Sequence, residues 1–205
     1  MPATVFSLLF VNASANVGDV CVFQNDLDLG APGVMPVAWF TKRAFPGTEV
    51  LFQWTVSYNF VWAETGRLAS GIVFAAAQRP EADLQTTNRI DLEHLGAFNF
   101  VNQRSGTGAG ILQIDATGQI PFETGSTGIG MAGGAIYLAQ AQPNQSHTFR
   151  PHPSYWITFG AFMKGQVLNP AAITVKQEIR FDPGVVALTA TLQRDNLWKV
   201  TRDSG

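Results

Sequence analysis

At 205 residues, 46% of them hydrophobic and including 15 Phe and 5 Trp, the chain can bury a core as one domain over residues 1–205 without a disulfide or metal staple. A formal net charge of −2 excludes a basic nucleic-acid footprint, and the lone Cys21 excludes a disulfide scaffold. Only 14% of the residues are charged, against about a quarter in ordinary domains. The surface therefore falls to Gln, Asn, Ser, Thr and Gly, and such neutral surfaces repel one another weakly, which favours self-association or a broad binding face.

Strand signals begin at once, punctuated by Gly, Pro and Asn. Val5–Val11 reads as a first strand and not as a secretion signal, since no Lys or Arg precedes it and its apolar run is short. The expected location is cytoplasmic, or outside the cell by release without a classical signal peptide. A turn at Asn12–Gly18 leads into Asp19–Gln24, where Cys21 reads as a core residue with no basic neighbour to activate it. Asn25–Pro36 is a loop. Its Asp26 and Asp28 have the look of a calcium loop, but Pro36 stands where that loop needs Glu.

Val37–Lys42 resumes as a strand, and Pro46-Gly47 turns the chain into its most patterned stretch. In Gln53–Trp62, Trp54, Val56, Tyr58, Phe60 and Trp62 share one parity, and Gln53, Thr55, Ser57 and Asn59 share the other. This predicts one long strand with an aromatic buried face and a neutral polar outer face. Gly71–Gln78 is the expected return strand, and Arg79–Thr87 has room for a single helical turn. Arg89–His94 alternates again, with Ile90 and Leu92 inward, and Ala97–Val101 follows.

Ser105–Phe149 holds only two charges, Asp115 and Glu123, and is rich in glycine. It reads first as flexible neutral loops around strand-like Ile111–Asp115 and Ala135–Ala139, and otherwise as surface buried between partners. Gly128-x-Gly130-x-x-Gly133 matches the dinucleotide fingerprint in form, but a strand-like segment follows where that fingerprint needs a helix. His94, His147 and His152 show no metal-ligand spacing, and no nucleophile stands at a recognised distance from a base. No cofactor is expected.

In Tyr155–Phe159 both parities are apolar at the start, so one large ring must face something besides the core. Trp156 and Tyr155, with Gly128, Gly130 and Met131 of the glycine-rich run, form the expected interaction surface. Val175–Phe181, Val186–Leu192 and Trp198–Thr201 close the chain as strands. The fold class is all-β: a single-domain antiparallel β-sandwich of Greek-key or jelly-roll type.

Asp19–Gln24, Val37–Thr41, Phe52–Val56, Asn59–Gly66 and the run Gly184–Trp198 resemble the rhizosphere-expressed RhiA-like bacterial family. That family takes its name from a rhizobial protein made under quorum-sensing control around plant roots. The resemblance implies an abundant accessory protein, regulated by cell density, and carries no catalytic residues. The expectation is a non-enzymatic protein that self-associates into homo-oligomers or larger assemblies. The alternative is an aromatic-rich module of lytic or lectin type that binds a membrane or glycan surface.

Overall fold

The computed structural model describes residues 3–25, 33–106 and 108–202. The calcium-like stretch at Asp26 and Asp28 lies outside them. In chain order the strands are β1 (Val5–Asn12), β2 (Gly18–Gln24), β3 (Met35–Pro36), β4 (Phe40–Ala44), β5 (Glu49–Thr55) and β6 (Tyr58–Ala63). Then follow β7 (Glu81–Ala82), β8 (Arg89–His94), β9 (Phe98–Arg104), β10 (Leu112–Ala116), β11 (Ser126–Met131) and β12 (Gly134–Gln140). The last five are β13 (Ser146–Phe149), β14 (Tyr155–Gly160), β15 (Lys176–Ile179), β16 (Ala187–Leu192) and β17 (Trp198–Arg202). The fold is all-β, as the alternation predicts. A single 3-10 turn at Pro170–Ala172 is started by Pro170 and capped by the Asn169 side chain.

These strands make four sheets in two face-to-face pairs. Sheet A runs β17-β16-β1-β5 and sheet B runs β15-β14-β2-β4. Their inner faces meet through Phe10 on Phe159 and through Phe6 and Trp54 on Tyr155. Sheet C runs β3-β12-β11-β6-β7 and sheet D runs β13-β10-β8-β9. They meet through Phe60 on Phe100 and Trp62 on Phe98. Pairing is antiparallel except for β1 with β16 and β8 with β10, which are parallel. One continuous hydrophobic cluster runs through both pairs, from Leu8 and Phe10 to Ile114 and Phe149. Burying each such side chain stabilises the fold by roughly 1.5–3 kcal/mol before chain entropy is counted.

Where the two pairs join, Trp39, Trp54, Tyr155, Phe6 and Phe181 pack as a lattice of rings 5.0–6.4 Å apart. Trp39 Nε1–H donates to the Met131 carbonyl of sheet C at 2.8 Å. The Gln24 amide approaches the Met131 sulfur at 3.6 Å. The end of β2 thus meets the end of β11.

The long strand expected over Gln53–Trp62 is instead two strands in two sheets. Ser57 N–H bonds back to the Thr55 carbonyl at 3.0 Å, which turns the chain sharply. Val56, at the corner, is exposed. The polar parity is also not an outer face in β6, because every residue of that strand is buried. Phe74, Val167 and Leu138 cover Val61 and Ala63 from the side opposite the aromatic core. The expected return strand Gly71–Gln78 supplies part of this cover, making only isolated bridges. Gln78 accepts Trp62 Nε1–H at 2.6 Å and Phe100 N–H at 2.9 Å, so it works as a polar peg between sheets C and D. Arg79–Thr87 contains β7 and then the single turn expected, closed by Thr87 N–H on the Asp83 carbonyl at 3.3 Å and by the Asp83 side chain, which accepts the Gln85 and Thr86 N–H groups.

The glycine-rich segment departs most from expectation. It supplies β10 to β13, and β11 is buried along its whole length between β6 and β12. A Cβ at Gly128 would lie 2.0 Å from the Tyr137 carbonyl oxygen, and one at Gly130 would lie 2.6 Å from the Asn59 amide. Glycine is required here for close approach, not for looseness. Gly128→Ala is therefore expected to destabilise the protein by roughly 1–3 kcal/mol or more through backbone displacement. Urea denaturation of the two proteins measures this, and an unchanged midpoint would refute the packing argument.

Candidate interaction surfaces

The five residues expected to share an interaction surface do not share one. Gly128, Gly130 and Met131 lie inside β11, and Tyr155 is buried in the ring lattice. They are inside because β11 is a central strand and Tyr155 points to the inner face of sheet B. Trp156, the next residue along β14, points to the other face and is half-buried. It packs near Cys21, Phe23 and Leu168, and the Lys176 ammonium sits 5.9 Å from its ring centre. Cys21 is fully buried, and desolvation first, then Asp19, drives its thiol pKa far up. That is an inert core thiol.

The exposed large apolar side chains fall into groups that no sequence window reveals. One group stands on three turns at the end of sheets A and B: Val17 after β1, Phe45 after β4 and Leu197 before β17, with 48%, 56% and 64% exposure. Asn12, fully buried, stitches these turns together. Its N–H donates to Thr48 O and its carbonyl accepts Gly47 N–H, while its side chain donates to Asn16 O and accepts Ser14 N–H and Oγ–H. Ala13 N–H reaches Leu192 O at 2.9 Å, and the Asn16 amide donates to Asn196 Oδ1 at 2.6 Å. Every buried polar atom of Asn12 is used, so the turns are held rigidly.

A second group stands at the end of sheets C and D, where Leu95 follows β8 and Phe122 lies between β10 and β11, 72% and 73% exposed. The Phe98 ring fills the space that a side chain at Gly125 would take, and Gly66 N–H bonds Thr124 O. Both tips are thereby fixed to the sheets beneath them.

A third feature is a cleft of about 700 Å3 at the junction, lined by Ser57, Tyr58 and Asn59, by Arg79, Glu81, Asp83, Gln85 and Thr87, and by Gly133 at the β11–β12 turn. Arg79 and Gly133 also line an adjoining cavity of about 330 Å3 that holds Lys164 and the edge of Trp39. Arg79 closes no ion pair among the described residues. Asn59 Oδ1 is buried without a hydrogen-bond partner. The Tyr58 hydroxyl has its pKa pushed up to about 12 by burial and then by Tyr155, so it stays neutral. Among the described residues no group of three His, Cys, Asp or Glu side chains gathers as a metal site, and no helix is long and apolar enough to cross a membrane.

Two polar networks are structural. On sheet D, Asp115 accepts Arg89 Nε–H at 2.5 Å, Ser146 Oγ–H at 2.6 Å and Gln113 Nε2–H at 2.7 Å. Asp91 takes Arg104 at 2.7 Å, so all four strands are clamped. Burial by itself would raise the Asp115 pKa, but the hydrogen bonds from Ser146, Gln113 and Arg89 hold it below the usual carboxylate range. Asp115→Asn is expected to cost about 1–2 kcal/mol at neutral pH. A depressed carboxyl stabilises above its unfolded pKa near 4 and loses that contribution as pH falls through the folded value. The variant and the parent should therefore converge in urea melts at strongly acid pH, and a constant gap would refute the ionic account.

His147, buried on β13, lies 3.1 Å from the Gln140 carbonyl through Nε2. Desolvation lowers its pKa and that hydrogen bond only partly offsets the shift. The unfolded chain takes up a proton below about pH 6.5 while the folded protein resists it, so stability falls with pH from there down to the folded pKa. Chemical melts between pH 5 and 8 should show this limb in the parent and not in His147→Gln. Its presence in both would assign it elsewhere.

The RhiA family matches residues 3–203. Protein RhiA of Rhizobium leguminosarum bv. viciae is 35% identical over 200 residues, which cover 96% of this chain and 86% of the relative. No solved structure matches.

Proposed function

The chain belongs to the RhiA family, and from that premise we propose that it is a non-enzymatic bacterial accessory protein, made under cell-density control, that acts by self-association. The observation that carries this reading is the grouping of exposed apolar side chains on rigid turns of a charge-poor molecule. Val17, Phe45 and Leu197, and separately Leu95 and Phe122, stand exposed on turns tied by hydrogen bonds to the sheets beneath them. Clustered exposed apolar groups mark contact sites. The outer face of sheet A supports the reading, since Leu9, Leu51, Thr189 and Thr201 lie in one cross-strand row.

Binding of a glycan is a second reading, favoured by the cleft around Arg79. Glu81 and Asp83 can accept from sugar hydroxyls, Arg79 can donate, and the Asn59 oxygen lacks a partner. Light scattering behind a sizing column, over rising protein concentration, tests the first reading. Growth in mass with concentration is expected. A constant monomer would overturn it, and glycan binding lost on Arg79→Ala would then favour the second.

A further inference from the structure

The two apolar groups stand at opposite ends of one continuous path through the molecule. β5 starts beside the first group at Glu49 and runs to the corner at Val56-Ser57; β6 leaves that corner in another sheet and ends at Ala63 beside the second. β6 does not pair with β5. The far end of β2, at Gln24, abuts Met131 at the near end of β11, so sheets C and D continue where sheets A and B stop. The protein therefore has two unlike poles, joined by a β5–β6 ribbon of roughly 45 Å contour.

The poles differ in charge as well as shape. Beside Val17, Phe45 and Leu197, the cations Lys42, Arg194 and Lys199 make no ion pair among the described residues, and Glu49 lies at the same end, also outside any ion pair among them. Asp19 is taken by Arg43, and Asp195, which caps the Leu197 N–H, keeps its charge, so three cations there stand against two carboxylates outside ion pairs among the described residues. Beside Leu95 and Phe122, Glu64 and Glu93 close no ion pair among the described residues, and Glu123 is paired with Arg67. The balance of charge is positive around the first apolar pole and negative around the second.

We propose that the basic pole of one copy docks on the acidic pole of the next, so that the self-association argued above is head-to-tail. This deepens that reading and rests on it. A contact between unlike patches on opposite ends does not close on itself as a two-fold dimer does; it propagates as an open chain. Like poles repel, which disfavours the symmetric pairings. A contact of five tips and their rims belongs to the small class of interfaces, below about 1,200 Å2, so assembly is weak and concentration-dependent. Salt weakens it, because exposed charges are screened over about 8 Å at physiological ionic strength.

The test uses two double variants of the full chain, Phe45→Ser with Leu197→Ser at one pole, and Leu95→Ser with Phe122→Ser at the other. All four side chains are exposed, and circular dichroism with thermal melts checks that both variants fold as the parent does. Sedimentation velocity at concentrations where the parent assembles should find each variant alone monomeric. The equimolar mixture should give a dimer and nothing larger, because each variant retains the pole that the other needs. Should both variants assemble as the parent does, self-association stands and pole-to-pole docking falls. A mixture that stays monomeric while the parent assembles also overturns the docking. A parent that stays monomeric overturns both.

Discussion

How closely β11 can approach its neighbours decides the rest of this fold. With no side chain at Gly128 or Gly130, the strand lies against the Tyr137 carbonyl and the Asn59 amide at distances no Cβ would allow. That lets β6 sit as a fully buried strand, with aromatic rings on one face and Val61 and Ala63 on the other. A thicker strand would push β6 outward and uncover one of its faces. The core of sheets C and D thus depends on absent atoms as much as on present ones.

The aromatic lattice performs the corresponding task at the junction. Trp39, Trp54 and Tyr155 fill the space where the two sheet pairs meet. They pack there both edge-on and stacked, since rings gain from several relative orientations. The cost is polar: the Trp54 indole N–H and the Tyr155 hydroxyl are buried with only each other in reach, and no well-formed hydrogen bond joins them. Away from the junction Thr117 Oγ1 and Trp198 Nε1 are buried without a partner as well, whereas the Asn12 knot and the Asp115 clamp use their polar atoms fully.

Much of the architecture was legible in the chain. β1, β8, β16 and β17 follow alternation and turn residues to within a few positions, because their inward and outward residues differ in burial, and β2 and β14, covered on both faces, show as short apolar runs between turn residues. The break between β5 and β6 was hidden because parity carries across the corner, so Trp54 and Tyr58 read as neighbours on one strand while they serve different sheets. β11 was hidden because glycine is read as a loop signal, and only its neighbours reveal it as close packing. For the same reason Gly128, Gly130 and Met131 were placed on a surface they do not reach. The exposed tips left no local signal either. Val17, Phe45 and Leu197 are far apart in sequence, and only the hydrogen bonds of Asn12 and Asn16 bring their turns together.

The parallel pairing of β1 with β16 has a consequence for the life of the chain before it is whole. Ser7–Asn12 finds its partner only in Ala187–Leu192, about 180 residues later. A nascent chain can form the β1–β5 ladder early, yet the other edge of β1 stays open until β16 has been made. Sheets C and D have all their strands within the middle of the sequence and can form before it is filled. β1 is therefore enclosed late relative to its own synthesis, and slow closure over so long a loop is expected for such distant pairing. For a charge-poor protein this interval, rather than the finished fold, is when its hydrophobic β1 is most open to wrong partners.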